Sequence, residues 1–226
     1  MSLQTILSIA ESVGINDHRF VGQTVSRNQK IVTSEVLTVV PFSFDIKPHN
    51  YLLYSQNRGV LNALRIPDKA LEQYINFGST GWLNYIKYQG DMTSGQIAAC
   101  QWQTSSANKI LVLGNLPSIS TSAYIVKAGD FVQVGRYTYI ATSDVLRGSG
   151  STVNIPVHRN LIDTLTSVVN AVMGQYGSTV SMGGNIYTGV TFPVVLRDYP
   201  TYTLIPMTND SFIAWSGQFK AFESVI

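Results

Sequence analysis

The stretch from Lys127 to Leu161 constrains the fold most, because it reads as short antiparallel strands separated by turns. Residues 131–134 and 136–142 are rich in aromatic and β-branched side chains, and they predict two strands joined by a tight glycine turn. A flexible Gly-Ser-Gly tip at 148–150 precedes a third strand at 152–157. We therefore predict a compact antiparallel β unit in this stretch.

Alternation of apolar and polar residues predicts further strands on both sides of this unit. Phe42, Phe44 and Ile46 fall on one face of a half-buried strand, and Pro41 indicates an edge position or a bulge. A Ser-Gly tip predicts a closing hairpin over 211–225. Other predicted strands lie at 21–27, 82–88, 97–103, 109–113, 189–196 and 202–207. The chain is therefore expected to be mainly β.

One helix is predicted, over 68–78, where Asp68 follows a proline at the start and Gly78 takes the position after the end. Residues 51–66 fit either a hairpin or a broken helix, and Gly59 favours the hairpin. Residues 1–19 fit a short helix or a terminal arm that packs on a neighbour.

Charged residues are scarce in this chain. The 15 basic and 13 acidic residues are 12% of the 226, against roughly 25% in an ordinary globular protein. The small positive balance gives no electrostatic basis for a nucleic-acid or anionic-membrane partner, and no apolar run approaches the ~18 residues of a membrane span. A weakly charged surface is typical of one that partner subunits cover, but a soluble monomer also fits this composition.

The groups that carry chemistry are scattered. The three histidines, His18, His49 and His158, are not at ligand spacing. Cys100 is the only cysteine and lies in a run that predicts a strand, so we expect a buried, inert thiol without a disulfide. We predict no catalytic, cofactor-binding or metal-binding residue, no cofactor and no enzyme activity.

Carboxylates and tyrosines leave two other functions open. A hydrolase of the glycosidase type needs two carboxylates facing each other across a cleft, whereas Asp68 and Asp130 have structural roles at a helix start and a turn. Exposed tyrosines would suit a carbohydrate-binding β module in a host-recognition apparatus. Strand tyrosines that cover a sheet or a subunit interface are the commoner case.

Four segments follow one another in a recognisable order and spacing: a strand pair at 25–44, the helix and glycine-led strand at 70–85, the AGDFVQVG unit that begins at Ala128, and closing strands at 194–225. This order resembles that of tailed-bacteriophage tail and baseplate structural proteins of the distal-tail or tail-tube-like family. The chain departs from the common pattern at 47–66 and at its amino end.

The resemblance implies a tail-tube-like β-sandwich or split barrel with one α-helix and an inserted small β-barrel domain. Residues 1–19 would form an arm or short helix, 20–92 plus 189–226 the tail-tube-like domain, and 93–188 the inserted domain. Under this division the flanks of the insertion, near Asp91 and Tyr187, are expected to lie close in space.

The resemblance also implies a function. The chain would be a non-enzymatic structural component of the virion tail or baseplate. It would be made in the host cytoplasm, because the amino end does not resemble a signal peptide. It would form a ring, often hexameric, near the distal end of the tail tube, through head-to-tail interfaces. Its partners would be other copies of itself and neighbouring tail or baseplate proteins, with no membrane, specific nucleic acid or small-molecule substrate.

Overall fold

The computed structural model describes residues 3–17, 21–25, 31–35, 40–65, 71–77, 84–104, 109–163 and 165–225, with 21–25, 31–35, 65 and 84 described by their backbone only. The protein is mainly β, with 46% strand and 13% helix, as the alternation predicts. No helix in these ranges is long and apolar enough to cross a membrane.

The elements follow in chain order. The helices are α1 (Leu3–Leu7), α2 (Tyr54–Arg65) and α3 (Ser94–Ala99), with one 3-10 turn at Asn84–Ile86. The strands are β1 (Ala10–Asn16), β2 (Val21–Val25), β3 (Ile31–Glu35), β4 (Ser43–Pro48), β5 (Leu52–Leu53), β6 (Gln73–Asn76), β7 (Gln101–Trp102), β8 (Ile110–Gly114), β9 (Tyr124–Val126), β10 (Phe131–Val134), β11 (Tyr137–Ile140), β12 (Val145–Leu146), β13 (Val153–Pro156), β14 (Val169–Asn170), β15 (Val172–Met173), β16 (Tyr176–Gly177), β17 (Thr179–Met182), β18 (Asn185–Thr188), β19 (Thr191–Asp198), β20 (Tyr202–Met207), β21 (Asp210–Trp215) and β22 (Phe219–Glu223).

The chain divides into two compact units. The first comprises residues 1–72 and 194–226, and the second comprises 73–193. The domains expected from the sequence, 20–92 plus 189–226 around an insertion at 93–188, stay a prediction, as does the proximity of the two flanks.

The main sheet of the first unit has the antiparallel order β1-β4-β22-β19. On β4 the side chains of Phe44 and Ile46 are fully buried, whereas Ser43 and Asp45 are partly exposed, so the predicted alternation is confirmed. The prediction that Pro41 marks an edge or a bulge is wrong. Since proline cannot donate to a ladder, Pro41 lies before β4 begins, and β4 itself lies between β1 and β22.

A second sheet of the first unit has the order β20-β21-β5. The strands expected at 202–207 and around the Ser216-Gly217 tip are confirmed, but the closing hairpin is wrong. Strand β21 pairs with β20 and β5, whereas β22 pairs with β19 and β4. The tip therefore leads from one sheet to the other, because a local turn signal does not determine which strands pair.

Residues 51–66 form mostly a helix, so the preferred hairpin reading is wrong. Helix α2 places Leu61 and Leu64 on its buried side, three residues apart. Gly59 has no atom within 4 Å of an added Cβ, and an exposed glycine costs a helix only about 1 kcal/mol relative to alanine. The packing of the apolar side therefore decides the conformation.

The helix predicted over 68–78 is also wrong where the structure describes it, because Gln73–Asn76 is strand β6. The side-chain amide of Asn76 donates to Thr191 Oγ1 at 2.7 Å and to Thr188 O at 2.9 Å. These tertiary hydrogen bonds favour an extended backbone over the helical propensity. Residues 66–70 and 78–80 lie outside the described residues.

Two predicted strands are replaced by helical turns. The segment expected at 82–88 contains the 3-10 turn Asn84–Ile86, and its residues 82 and 83 lie outside the described residues. The segment expected at 97–103 begins as α3, which a capping box between Thr93 and Gln96 initiates, and only Gln101–Trp102 is strand.

The amino end contains both a short helix and a strand. Leu3, Ile6 and Leu7 of α1 are buried, so a short helix is present, but it ends at Leu7, and the expectation that its apolar face extends to Ala10 and Val13 is wrong. Strand β1 follows and pairs with β4.

The Lys127–Leu161 stretch forms its predicted strands, but it is not a self-contained unit. Strands β10 and β11 pair as a hairpin, as expected. Strand β13 pairs with β8 instead, and β12 pairs with β9. The 148–150 tip therefore joins strands of two different sheets, because β13 completes the order β13-β8-β7-β14.

The core of the second unit contains side chains from all of these sheets. Trp102 is completely buried, and its indole N–H donates to Gln133 O at 2.8 Å. The cluster comprises Tyr88, Met92, Ile97, Cys100, Trp102, Leu111, Leu113, Ile125, Val126, Val132, Val134, Tyr137, Tyr139, Ala141, Ile155, Val157, Leu161, Ala171 and Met173.

Gly174 closes this core at a point where backbones meet. Its φ is +54°, and an added Cβ would lie 2.6 Å from Tyr88 N and 2.7 Å from Ile86 O. Its N–H donates to Phe131 O and its carbonyl accepts from Val190 N–H, both at 2.8 Å. A side chain at Gly174 would therefore have to displace backbone that is already hydrogen-bonded.

We predict that Gly174→Ala destabilises the protein more than Gly184→Ala does. Both glycines have positive φ, but an added Cβ at Gly184 has no atom within 4 Å. The free energy of unfolding of the control, Gly184→Ala, should therefore fall only by the cost of a left-handed alanine, about 1–2 kcal/mol. That of Gly174→Ala, measured by urea unfolding, should fall clearly further. Equal losses would contradict the close backbone approach.

Candidate functional site

An aromatic groove is a prominent concave feature of the first unit. Its volume is about 500 Å³. It is formed by α2 and by the chain that leads into and through the β20–β21 hairpin. The aromatic groove is lined by Tyr54, Leu61, Leu64, Tyr199, Pro200, Thr201, Tyr202, Leu204 and Trp215. Among the described residues, no charged side chain belongs to this lining.

Edge-to-face ring packing supports one wall of the groove. The rings of Tyr202 and Trp215 lie 5.3 Å apart, Trp215 lies 5.4 Å from Phe219, and Tyr199 lies 5.1 Å from Phe219. Each such pair contributes about 0.5–1.5 kcal/mol beyond the burial of its area. The wall is therefore a preformed, rigid aromatic surface.

Tyr199 connects this wall to α2. Its hydroxyl donates to Leu64 O near the end of the helix, where carbonyl groups lack helical partners. Burial raises the pKa of Tyr199 to about 12, so the hydroxyl stays protonated and remains a donor at neutral pH.

Asp210 fastens the other end of the hairpin to the start of α2. Ser55 Oγ donates to Asp210 Oδ2 at 2.6 Å, and Ser55 N–H donates to Oδ1 at 3.2 Å. The hydrogen bond from the Ser55 side chain is the main reason why the pKa of Asp210 lies below its usual value. The carboxylate also accepts an N–H of the first helical turn, which has no partner within the helix.

The indole N–H of Trp215 is buried and has no hydrogen-bond acceptor among the described residues. Trp215 lines the groove and also a neighbouring cavity of about 240 Å³, which contains Asn50 and Gln218. A buried donor without an acceptor is costly, by about 1–3 kcal/mol. An oxygen atom of a bound molecule or of water would relieve this cost.

Strand β20 borders the groove and is an edge strand of its described sheet. Leu204, Ile205 and Met207 are exposed at 43%, 42% and 42%. Pro206 lies in the strand, and proline is tolerated there because an edge strand needs fewer donors. The strand carries no charged residue, so it lacks the lysines with which proteins usually protect such edges.

Two further cavities contain polar groups. One in the second unit, of about 370 Å³, includes Gln133 and Asn170, but the Gln133 side chain is engaged with the Thr191 backbone at 2.8 and 3.1 Å. One in the first unit, of about 360 Å³, contains the mixed charges Asp45, Arg197, Asp198 and Lys220. In neither cavity do the polar side chains converge on a point where they could bind one kind of ligand.

The residues considered from the sequence are dispersed. Cys100 is buried, as predicted, and burial raises the pKa of its thiol to about 11, but it lies at the end of α3 and not in a strand. Asp130 accepts from the N–H groups of Gln89 and Lys127, each at 2.8 Å, which confirms its turn role. Burial raises the pKa of Asp130.

The described histidines and carboxylates do not form a metal-binding cluster. His158 Nδ1 accepts from the Ile140 N–H at 3.0 Å, and His18 and Asp68 lie outside the described residues. Within the described ranges, no group of three or more His, Cys, Asp or Glu side chains is placed to hold a metal ion.

Comparison with known proteins gave no match, either to a protein-family model or to a curated protein. No motif in the sequence marks the aromatic groove. One signal for it was present: an uncharged strand that contains Pro206 and follows Pro200 is typical of an edge beside a turn.

We predict that Asp210→Asn lowers the melting temperature at neutral pH, because its neutral amide is a weaker acceptor for Ser55. The pKa of Asp210 is lower in the folded than in the unfolded chain. Its carboxylate therefore stabilises the fold above the unfolded pKa of about 3.9, and this effect is lost as the pH falls through the folded pKa. Melting curves in an acid series should converge for the two proteins.

Ser55→Ala provides the matched control, because it removes the same side-chain hydrogen bond from the other partner. The double variant should lose less than the sum of the two single losses. Two results would contradict this Ser55–Asp210 clasp, the name used here for the two hydrogen bonds from Ser55 to the Asp210 carboxylate. One is a double variant whose loss of stability equals the sum of the single losses. The other is a difference in melting temperature between wild type and Asp210→Asn that does not change with pH.

Proposed function

We propose that this chain is a non-enzymatic structural component of a tailed-bacteriophage tail or baseplate, and that it forms a ring by packing against copies of itself. The order of its segments, which resembles the distal-tail or tail-tube-like family, supports the proposal. The single structural observation that carries it is the apolar strand β20 beside the aromatic groove, which is an edge of its sheet among the described residues.

Strand β20 is hard to reconcile with an isolated protein. An edge strand presents unpaired N–H and C=O groups, and exposed apolar side chains on it create a site of association. The three large apolar side chains of β20 are each more than two-fifths exposed. Coverage by another subunit would bury these side chains and satisfy the free backbone groups.

The surface chemistry agrees with this reading. Only 12% of the residues are charged, and the cores of subunit interfaces are depleted in charge. Within the hairpin and its approach, 199–215, Asp210 is the one charged residue, and the clasp to Ser55 occupies it. Apart from the Asp210 carboxylate, which is hydrogen-bonded to the neutral Ser55, a partner can therefore cover this surface without removing a charge from water.

The finer fold belongs to the same proposal. We infer a tail-tube-like β-sandwich or split barrel with an inserted small β-barrel domain. The antiparallel order β1-β4-β22-β19 and the second sheet β20-β21-β5 are compatible with it. The ring would lie in the virion near the distal end of the tail tube, often as a hexamer, against neighbouring tail or baseplate proteins.

A carbohydrate-binding β module is the second candidate, and the aromatic groove is the observation that favours it. Tyr54, Tyr202 and Trp215 are the residue types on which sugar rings stack. However, saccharide sites also need polar groups that fix the hydroxyls, and the described lining includes no carboxylate or amide side chain. The apolar lining favours a protein partner.

Light scattering after size exclusion, together with electron microscopy, tests the ring. At about 100 µM, where complexes with micromolar Kd are populated, we expect closed rings. Ile205→Lys should weaken association at least about tenfold, because it places a charge in the interface. A wild-type protein that stays monomeric at this concentration would overturn the proposal.

Val225→Lys is the matched control, because Val225 lies in the same unit and has nearly the same exposure as Ile205, 40% against 42%. It should leave the assembly unchanged. A glycan array separates the second candidate: binding by the monomer that Trp215→Ala abolishes would favour the carbohydrate module.

A further inference from the structure

The β17–β18 hairpin of the second unit presents one isolated apolar side chain to solvent. Ile186 is exposed at 74%, the largest value among the large apolar side chains that the structure describes. Its partner across the hairpin is Ser181, which is also exposed. Residues 175–189 contain no charged residue. The hairpin is therefore an uncharged surface with a single apolar projection.

The hairpin is held in place from its other side. Tyr187 points away from Ile186 on the alternating strand, and its ring lies 6.0 Å from the ring of Tyr74. The turn residues Gly183 and Gly184 have φ of +55° and +75°, as a two-residue hairpin turn requires. Ile186 is thus presented by an anchored strand and not by a flexible loop.

The aromatic groove has the complementary properties. It is concave, its described lining is uncharged, and its volume of about 500 Å³ is ample for an aliphatic side chain. Its border β20 is an edge strand, and β17 and β18 form a two-stranded sheet with free edges among the described residues. Two free edges can pair through backbone hydrogen bonds, while a side chain fills the adjacent pocket.

We propose that the β17–β18 hairpin of one copy docks on β20 and the aromatic groove of a second copy, with Ile186 entering the groove. This assignment rests on the proposed function and names the two surfaces that make the ring.

A second copy is favoured over an unrelated partner because each copy carries both surfaces, and both are uncharged. Burying them against each other desolvates no ionic group, so the usual penalty for unpaired charge does not arise. The two surfaces differ and belong to different units of the chain. Such a contact is head-to-tail, and repetition of it closes a ring when the rotation permits.

The test uses two full-length variants, each lacking one surface. Ile186→Asp removes the projection, and Leu204→Asp places a charge in the groove. Each alone should weaken self-association about thirtyfold or more, as interface hot spots do, and run as a monomer. Mixed together, they should form a 1:1 heterodimer, because one intact hairpin and one intact groove remain.

Two controls and a reserve variant accompany the test. Leu146→Asp, at an exposed apolar position of the second unit (47%), and Val225→Asp, in the first unit (40%), should assemble as wild type. Circular dichroism verifies that each variant is folded. If Leu204→Asp is unfolded, Met207→Asp in the same strand replaces it.

The outcomes separate this inference from the proposed function. Wild-type rings that persist in Ile186→Asp overturn the assignment of surfaces and leave the ring proposal standing. Monomeric single variants that remain monomers when mixed also overturn the assignment. A monomeric wild type overturns both.

Discussion

The outer edge of β20, which pairs with no other described strand, is the constraint on which the proposed assembly depends. A sheet edge without charge, with three large apolar side chains in solvent, has the properties that soluble proteins usually avoid. The groove beside it is held open by specific contacts: Asp210 binds the start of α2, and Tyr199 binds its end. Hydrogen bonds at both ends of α2 thus keep an apolar surface in place. Such an arrangement is expected of a docking site and not of a surface that faces solvent.

The sequence predicts the strands better than their partners. Alternation identified β4, because burial of one face imposes a period of two. Strands β10 and β11 are buried on both faces, and their aromatic and β-branched composition identified them instead. Local signals failed where tertiary contacts decide. Asn76 reads as part of a helix, yet its amide binds Thr188 and Thr191, more than 110 positions away in the same unit. Ser216-Gly217 reads as a hairpin tip, yet it connects two sheets. The aromatic groove assembles residues about 160 positions apart, from Tyr54 to Trp215, and no local pattern in the sequence contains that information.

The absence of charge guides the choice between the two uses of the groove. A saccharide stacks an apolar C–H face on an aromatic ring, but the hydroxyls around its ring need fixed acceptors and donors. The described groove offers aromatic rings, the hydroxyls of its tyrosines and of Thr201 and one buried indole N–H, among leucine and proline, but no carboxylate or amide side chain. An uncharged hairpin such as β17–β18 requires only an apolar pocket and a free strand edge. The same scarcity of charge extends over the whole chain. It would therefore explain both surfaces of the proposed contact between copies.

Hydrogen–deuterium exchange on β20, followed from dilute to concentrated protein, tests the central claim most directly. In an antiparallel edge strand every second amide has no partner across the ladder. If β20 is covered by another copy, those amides should exchange more slowly as the concentration rises, while the amides of α3 keep their rates. Exchange in β20 that is the same at every concentration, in a protein that nevertheless assembles, would show that the subunits meet elsewhere and would contradict the account.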